Sequence, residues 1–167
     1  LPVKNALKTI SLYRLGDICL MLALWTSHHI WNENITFAKL ENAELVTSHI
    51  AGNYASVIFL ISMIIIAASI KSAQFPFSSW LPRAMEGPTT SSAVFYGSLS
   101  VHLGVFLLMR THNYWESIGL IKMIIIIMGV CTAVVATSIA RVQSTVKTQI
   151  AYSSIAHIGL MGAALFA

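Results

Sequence analysis

The chain has 167 residues, of which 56% are apolar and only 10% charged, where a soluble globular domain carries about 25% charged residues. That composition excludes a disordered protein and argues against a water-soluble domain, so the chain reads as a helical membrane protein counted in spans of about 20 residues. The net charge of +4 comes from ten Lys+Arg against six Asp+Glu spread between apolar runs, which is loop charge that sets topology rather than a nucleic-acid-binding patch.

Apolar segments are predicted at about 7–25, 51–70, 89–109, 119–140 and 149–167. Each is near the length that crosses about 30 Å of hydrocarbon, and none alternates as a barrel strand does, so a polytopic helical bundle of about five transmembrane helices is expected. The connection 27–50 is polar and holds His28, His29 and His49. Residues 71–88 hold Pro76, Pro82, Gly87 and Pro88; prolines at this density break a continuous helix, and a broken helix near Lys71 is expected. Residues 141–148 form another polar interruption. Lys4, Lys8, Lys71, Arg83, Arg141 and Lys147 fall on one side and Lys39, Arg110 and Lys122 on the other, which places the N-terminal end on the cytoplasmic side. Cys19 and Cys131 both lie in apolar runs and suggest neither a disulfide framework nor a zinc site. The start at Leu1 and the end inside an apolar run read as an internal portion of a longer protein.

Ionisable groups within spans are costly and each needs a reason. Arg14 and Asp17 are three apart on one face of the first span; they form either an internal charge pair that lets the helix insert or part of a charge-transfer chain. Lys71 ends the second apolar run. It either snorkels to the interface or sits at a mid-membrane helix end, partly desolvated, where free carbonyls favour a cation and a proton can be loaded and released. The third span is the most polar. Ser91, Ser98 and His102 share one face, and Ser92, Tyr96 and Ser100 a neighbouring one. Hydroxyls in membrane helices often only satisfy the backbone, but beside a histidine, the residue type that titrates near neutral pH, they can also hold water. Lys147, Ser153, Ser154 and His157 crowd the last interruption and span. Protonatable groups in three different spans point to proton or ion movement through the bundle. No G-x-G-x-x-G, Walker A or H-E-x-x-H motif is present, and no flavin, haem or iron–sulfur ligand pattern. His28 and His29 with Glu33 read as a loop cluster rather than a metal site, and no catalytic constellation is legible.

Three stretches carry a more specific signal. They are Lys71-Ser72-Ala73-Gln74 with Trp80-Leu81-Pro82, Ala84 to Thr90 and Ser92-Ala93; Gln143 to Lys147 with Ala151 to Ser154 and Ile158-Gly159; and Arg14-Leu15-Gly16-Asp17. Together they resemble the signatures of antiporter-like membrane subunits, the subunit-5 type chains of respiratory complex I and their Mrp antiporter relatives. The resemblance covers most of 1–26 and 57–167, and not the 27–50 loop. It implies that the chain is part of one proton-conducting transmembrane domain spanning 1–167. It also implies that the helix bearing Lys71 is broken mid-membrane, and that Lys71 and Lys147 belong to a proton path. Subunits of this kind bind no redox centre themselves, so no cofactor is expected on this chain.

The sequence departs from the family at several positions. Tyr96 stands where complex I chains usually have histidine, His102 where a small residue is usual, Thr145 where an acid is common and His157 where glutamine is usual. These changes mark a divergent branch, in which His102 and His157 become candidate relays. The expected function is a proton-translocating subunit similar to subunit 5 of NADH:quinone oxidoreductase, without a catalytic centre of its own. Its expected partners are other membrane subunits of a complex I-like assembly, and its location a bacterial or mitochondrial inner membrane. Two alternatives remain open: the membrane half of a bicarbonate or CO2 uptake system with a soluble zinc-binding partner, and a non-transporting membrane anchor.

Overall fold

The computed structural model describes residues 2–32, 34, 36–40, 42–92 and 99–166. All regular structure among these residues is helical. The first helix, α1 (Pro2–Trp31), is longer than the predicted span and takes in Ser27 to Trp31 of the predicted loop. No proline interrupts residues 3–31, so nothing stops the backbone ladder where the apolar run ends. Two short helices follow, α2 (Phe37–Leu40) and α3 (Ala43–Gly52). The start of α3 is capped by the Asn42 side chain, which accepts the Glu44 N–H at 3.1 Å.

Helix α4 (Tyr54–Lys71) is apolar almost throughout. It runs antiparallel to α1, its far end meeting Gly16 through Ile70 and its beginning sharing a core with Ala23 and Trp31 through Val57, Leu60 and Ile61. With 30 residues α1 is about 45 Å long, and with 18 residues α4 about 27 Å. Helix α4 therefore stops near the midpoint of α1. The chain continues along the other half of α1 through a 3₁₀ turn (Phe77–Ser79) and α5 (Trp80–Ala84), reaching a hydrogen bond from Asn5 Nδ2 to Glu86 Oε1 at 2.7 Å. The predicted break near Lys71 is thus one interrupted antiparallel partner of α1.

The remaining helices are α6 (Thr89–Ser91), α7 (Ser100–Arg110), α8 (His112–Glu116), α9 (Gly119–Ala140) and α10 (Val146–Phe166). The predicted third span, 89–109, contains α6 and most of α7, with residues 93–98 outside those described. Helices α4 and α9 are each long and apolar enough to cross a bilayer. Antiparallel α9 and α10 approach through small residues: a Cβ on Gly129 would lie 2.7 Å from the Gly159 carbonyl, and one on Gly159 would lie 2.8 Å from the Ala133 nitrogen. Small residues let membrane helices pack backbone to backbone.

Two core clusters meet at the break. One gathers Leu60, Ile61, Ile64 and Ala68 of α4 with Leu108, Ile121 and Ile125. The other gathers Ala73, Trp80 and Leu81 with Val101, Val105, Ala136 and Ile155.

Candidate functional site

The end of α4 is built by its own backbone. Ser72 is the C-cap, and Ala73 takes a left-handed φ of 51°. The Ala73 N–H donates to the Ile70 carbonyl at 3.3 Å and the Gln74 N–H to the Ser69 carbonyl at 2.9 Å. This pair of bonds is the Schellman stop, usually made with glycine at the left-handed position. Alanine is tolerated there because its methyl is fully buried in the second core cluster. The indole Nε1 of buried Trp80 donates to the Ile70 carbonyl at 2.9 Å. The orphan carbonyls of a helix end are thus partly satisfied, and the last helical residue is Lys71.

The Lys71 side chain, about one-third exposed, reaches back onto the middle of α1. Its Nζ lies 3.7 Å from Asp17 Oδ1 and 5.5 Å from the centroid of the Tyr13 ring. Asp17 Oδ2 in turn lies 3.9 Å from Arg14 Nη1. One carboxylate therefore stands between two cations, one on its own helix and one at the helix break. Tyr13 sits edge-on to Trp80, with centroids 4.9 Å apart, and its hydroxyl shares a 2.6 Å hydrogen bond with Ser100 Oγ of α7. Thr9, Tyr13, Arg14, Asp17, Leu99 and Ser100 are among the residues lining an open groove of about 600 Å³ between α1 and α7.

The other predicted site residues lie apart from this cluster. Lys147 is exposed at the start of α10, and its Nζ donates to the Gly87 carbonyl at 3.3 Å, next to the end of α5. His102 on α7 and His157 and Ser153 on α10 are exposed. Ser154 bonds its own helix, donating to the Ile150 carbonyl. Buried Ser92 donates likewise to the Pro88 carbonyl at 3.0 Å. Tyr96 and Ser98 lie outside the described residues, as do Glu33 and the side chain of Ser91.

Sequence reasoning missed two members of the cluster, Tyr13 and Trp80, and the contact that joins it. Tyr13 is four residues before Asp17 on the same face of α1, a spacing that could have flagged it. Trp80 offered no signal as a cap of α4. The Asp17–Lys71 approach joins residues 54 positions apart, which no local spacing reveals.

A family profile described as NADH:quinone oxidoreductase/Mrp antiporter, TM matches residues 2–167. The chain belongs to that family. It is therefore an integral membrane chain of the antiporter-like kind. Over 165 residues it is 38% identical to NADH-ubiquinone oxidoreductase chain 5 of Paracentrotus lividus, covering 96% of this chain and 24% of the relative. NADH-quinone oxidoreductase subunit L of Escherichia coli K12 is 34% identical over 160 residues, covering 96% of this chain and 26% of that protein. The chloroplastic NAD(P)H-quinone oxidoreductase subunit 5 of Chara vulgaris is 32% identical over 152 residues, covering 91% of this chain and 23% of that protein. The chain thus spans about a quarter of the length of these curated relatives. Its fold is shared with a chain of the membrane-bound sulfane sulfur reductase, an archaeal respiratory membrane complex. The TM-score is 0.80 at 24% identity, over 98% of this chain and 33% of that one.

Proposed function

We propose that this chain is part of a proton-translocating membrane subunit resembling subunit 5 of NADH:quinone oxidoreductase, with Lys71 as a protonatable station. The observation that carries this reading is the placement of the Lys71 ammonium at a helix break midway along α1, 3.7 Å from Asp17. A cation at a helix C-terminus is favoured by the helix dipole, and an ionisable group at mid-span marks an ion pathway more often than an anchor. Asp17 faces Lys71 with one oxygen and Arg14 with the other, so the two cations compete for one carboxylate. Loss of the Lys71 proton would leave Asp17 to Arg14, and its return would restore the shared arrangement.

In the same reading Lys147 is a second station, His102 and His157 are relays, and the hydroxyls around residues 91–100 order water between them. Ser69 Oγ and Gln74 Nε2 support a wet path. Both are buried beside the break with no hydrogen-bond partner among the described residues, and buried polar atoms of that kind are where internal water binds. The spans of this domain, residues 1–167, would be five: α1, interrupted α4–α5, α6–α7, α9 and α10. The chain would bind no cofactor and would act beside other membrane subunits of a complex I-like assembly in an energy-coupling membrane.

The test is Lys71→Ala in the complete protein in native membranes, with proton uptake, NADH:quinone activity and co-purifying subunits measured on one sample. Coupled transport should vanish while assembly persists. Unchanged transport would overturn the lysine relay, and activity that also survives neutral residues at both Lys71 and Lys147 would leave a membrane anchor. A single soluble zinc-binding partner without NADH activity would move the reading to carbon uptake.

A further inference from the structure

Past Ser72, whose N–H still makes the last helical bond, the break presents backbone donors that no continuous helix satisfies. The Ser72 N–H donates to the Ala68 carbonyl at 2.8 Å, Ala73 to Ile70 at 3.3 Å, Gln74 to Ser69 at 2.9 Å and Phe77 to Gln74 at 2.7 Å. Pro76 has no N–H. The remaining donor, Phe75, finds no backbone carbonyl among the described residues and donates to Thr132 Oγ1 at 3.0 Å. In a membrane chain an unpaired backbone N–H is costly, and a protein acceptor satisfies it in a fixed place as mobile water does not.

Thr132 is built for this task. It is buried in the middle of α9, and its hydroxyl uses its own proton on the Met128 carbonyl at 2.6 Å, leaving a lone pair for Phe75. Its placement depends on the close approach of α9 and α10, because a Cβ on Gly159 would lie only 3.0 Å from the Thr132 Cβ. The backbone bonds of the break given above, and the Trp80 indole bond to the Ile70 carbonyl, come from within residues 68–80. Thr132 reaches in from another span.

We propose that Thr132 is a positioning residue: its hydroxyl holds the broken end of α4 in register with α1, and so holds Lys71 against Asp17 and Tyr13. The consequence for transport rests on the proton-translocation reading above, while the positioning itself does not. It makes the α9–α10 pair part of the device that sets the Lys71 geometry rather than passive packing.

The experiment uses the complete protein in its native membrane assembly, with threonine, valine or serine at 132. Position 71 is read in a Lys71→Cys background, with Cys19, Cys131 and the protein's other native cysteines replaced by serine, by its rate of alkylation with a small maleimide. Proton uptake is read separately with Lys71 intact. Thr132→Val keeps the shape and removes the acceptor, so alkylation should change by about tenfold and uptake should fall by a similar factor, while Thr132→Ser stays within about twofold of the parent. Equal alkylation rates for threonine and valine overturn the proposal. So does an equal change in valine and serine, which would assign the effect to the methyl group. If the valine chain does not accumulate, alanine and serine make the same comparison, both lacking the methyl and differing by the hydroxyl, and equal rates again overturn it. An alkylation response in a protein whose uptake survives Lys71→Ala would keep the positioning role and reject the transport reading.

Discussion

Lys71 Nζ and Asp17 Oδ1 face each other across 3.7 Å, joining the last residue of α4 to the middle of α1. The distance is that of an ion pair without a direct hydrogen bond, and Arg14 holds the other carboxylate oxygen at 3.9 Å. A loose, shared pair releases its cation more easily than a tight one. Asp17→Asn removes the charge and keeps the shape. It should lower proton uptake by about fivefold, the scale of one partly exposed ion pair, with normal accumulation in the membrane. Uptake equal to the parent would remove Asp17 from the path.

The indole of Trp80 ties the break to Tyr13 and to the Ile70 carbonyl. Trp80→Phe keeps an aromatic ring against Tyr13 but removes the donor and part of the buried ring, so it should cost about 1–3 kcal/mol. Trp80→Ala also opens a cavity in the second core cluster and should cost about 3–5 kcal/mol. Thermal melting of the purified protein in detergent separates the two, and a Trp80→Phe chain as stable as the parent would deny the hydrogen bond a role.

Ala73 combines a left-handed φ of 51° with complete burial. Glycine relieves the backbone cost of about 1–2 kcal/mol but loses a buried methyl worth about 0.8 kcal/mol and gains unfolded-state freedom. Ala73→Gly should therefore stay within about 1 kcal/mol of the parent. Ala73→Val adds a branched side chain to a conformation it disfavours and should lose more than about 2 kcal/mol. Melting temperatures in that order check the Schellman stop.

Gly104 of α7 lies against the end of α4, where a Cβ would come within 2.5 Å of the Ala68 carbonyl and 2.8 Å of the Ser72 nitrogen. These neighbours are backbone atoms and cannot rotate away. Gly104→Ala should force α7 from α4 and cost about 1–3 kcal/mol. Gly129→Ala should cost as much, given the Gly159 carbonyl at 2.7 Å from its added Cβ. Gly52→Ala, with nothing within 4 Å of the added atom, is the control and should melt within about 0.5 kcal/mol of the parent.

Much of the bundle was legible because apolar runs of span length leave the backbone few choices in hydrocarbon. Helices α4 and α9 occupy the predicted runs within a few residues. The edges were less legible: α1 carries on past the apolar run through Ser27 to Trp31, because polarity alone does not end a helix. The predicted loop likewise holds α3, whose cap Asn42 and first-turn Glu44 are ordinary start signals.

What the residues determined by themselves was the membrane class, the helical fold, the break after Lys71 and the family to which the motifs belong. Each follows from composition, from proline chemistry or from local spacing. Only the tertiary structure decided what the break faces. Asp17 and Tyr13 come to Lys71 because α4 is antiparallel to α1 and stops at its midpoint, and Thr132 comes to Phe75 because Gly129 and Gly159 let α9 and α10 close. Such meetings depend on where helices cross and how near they approach. That is fixed by packing across the whole bundle and leaves no mark in the spacing of residues along any one helix.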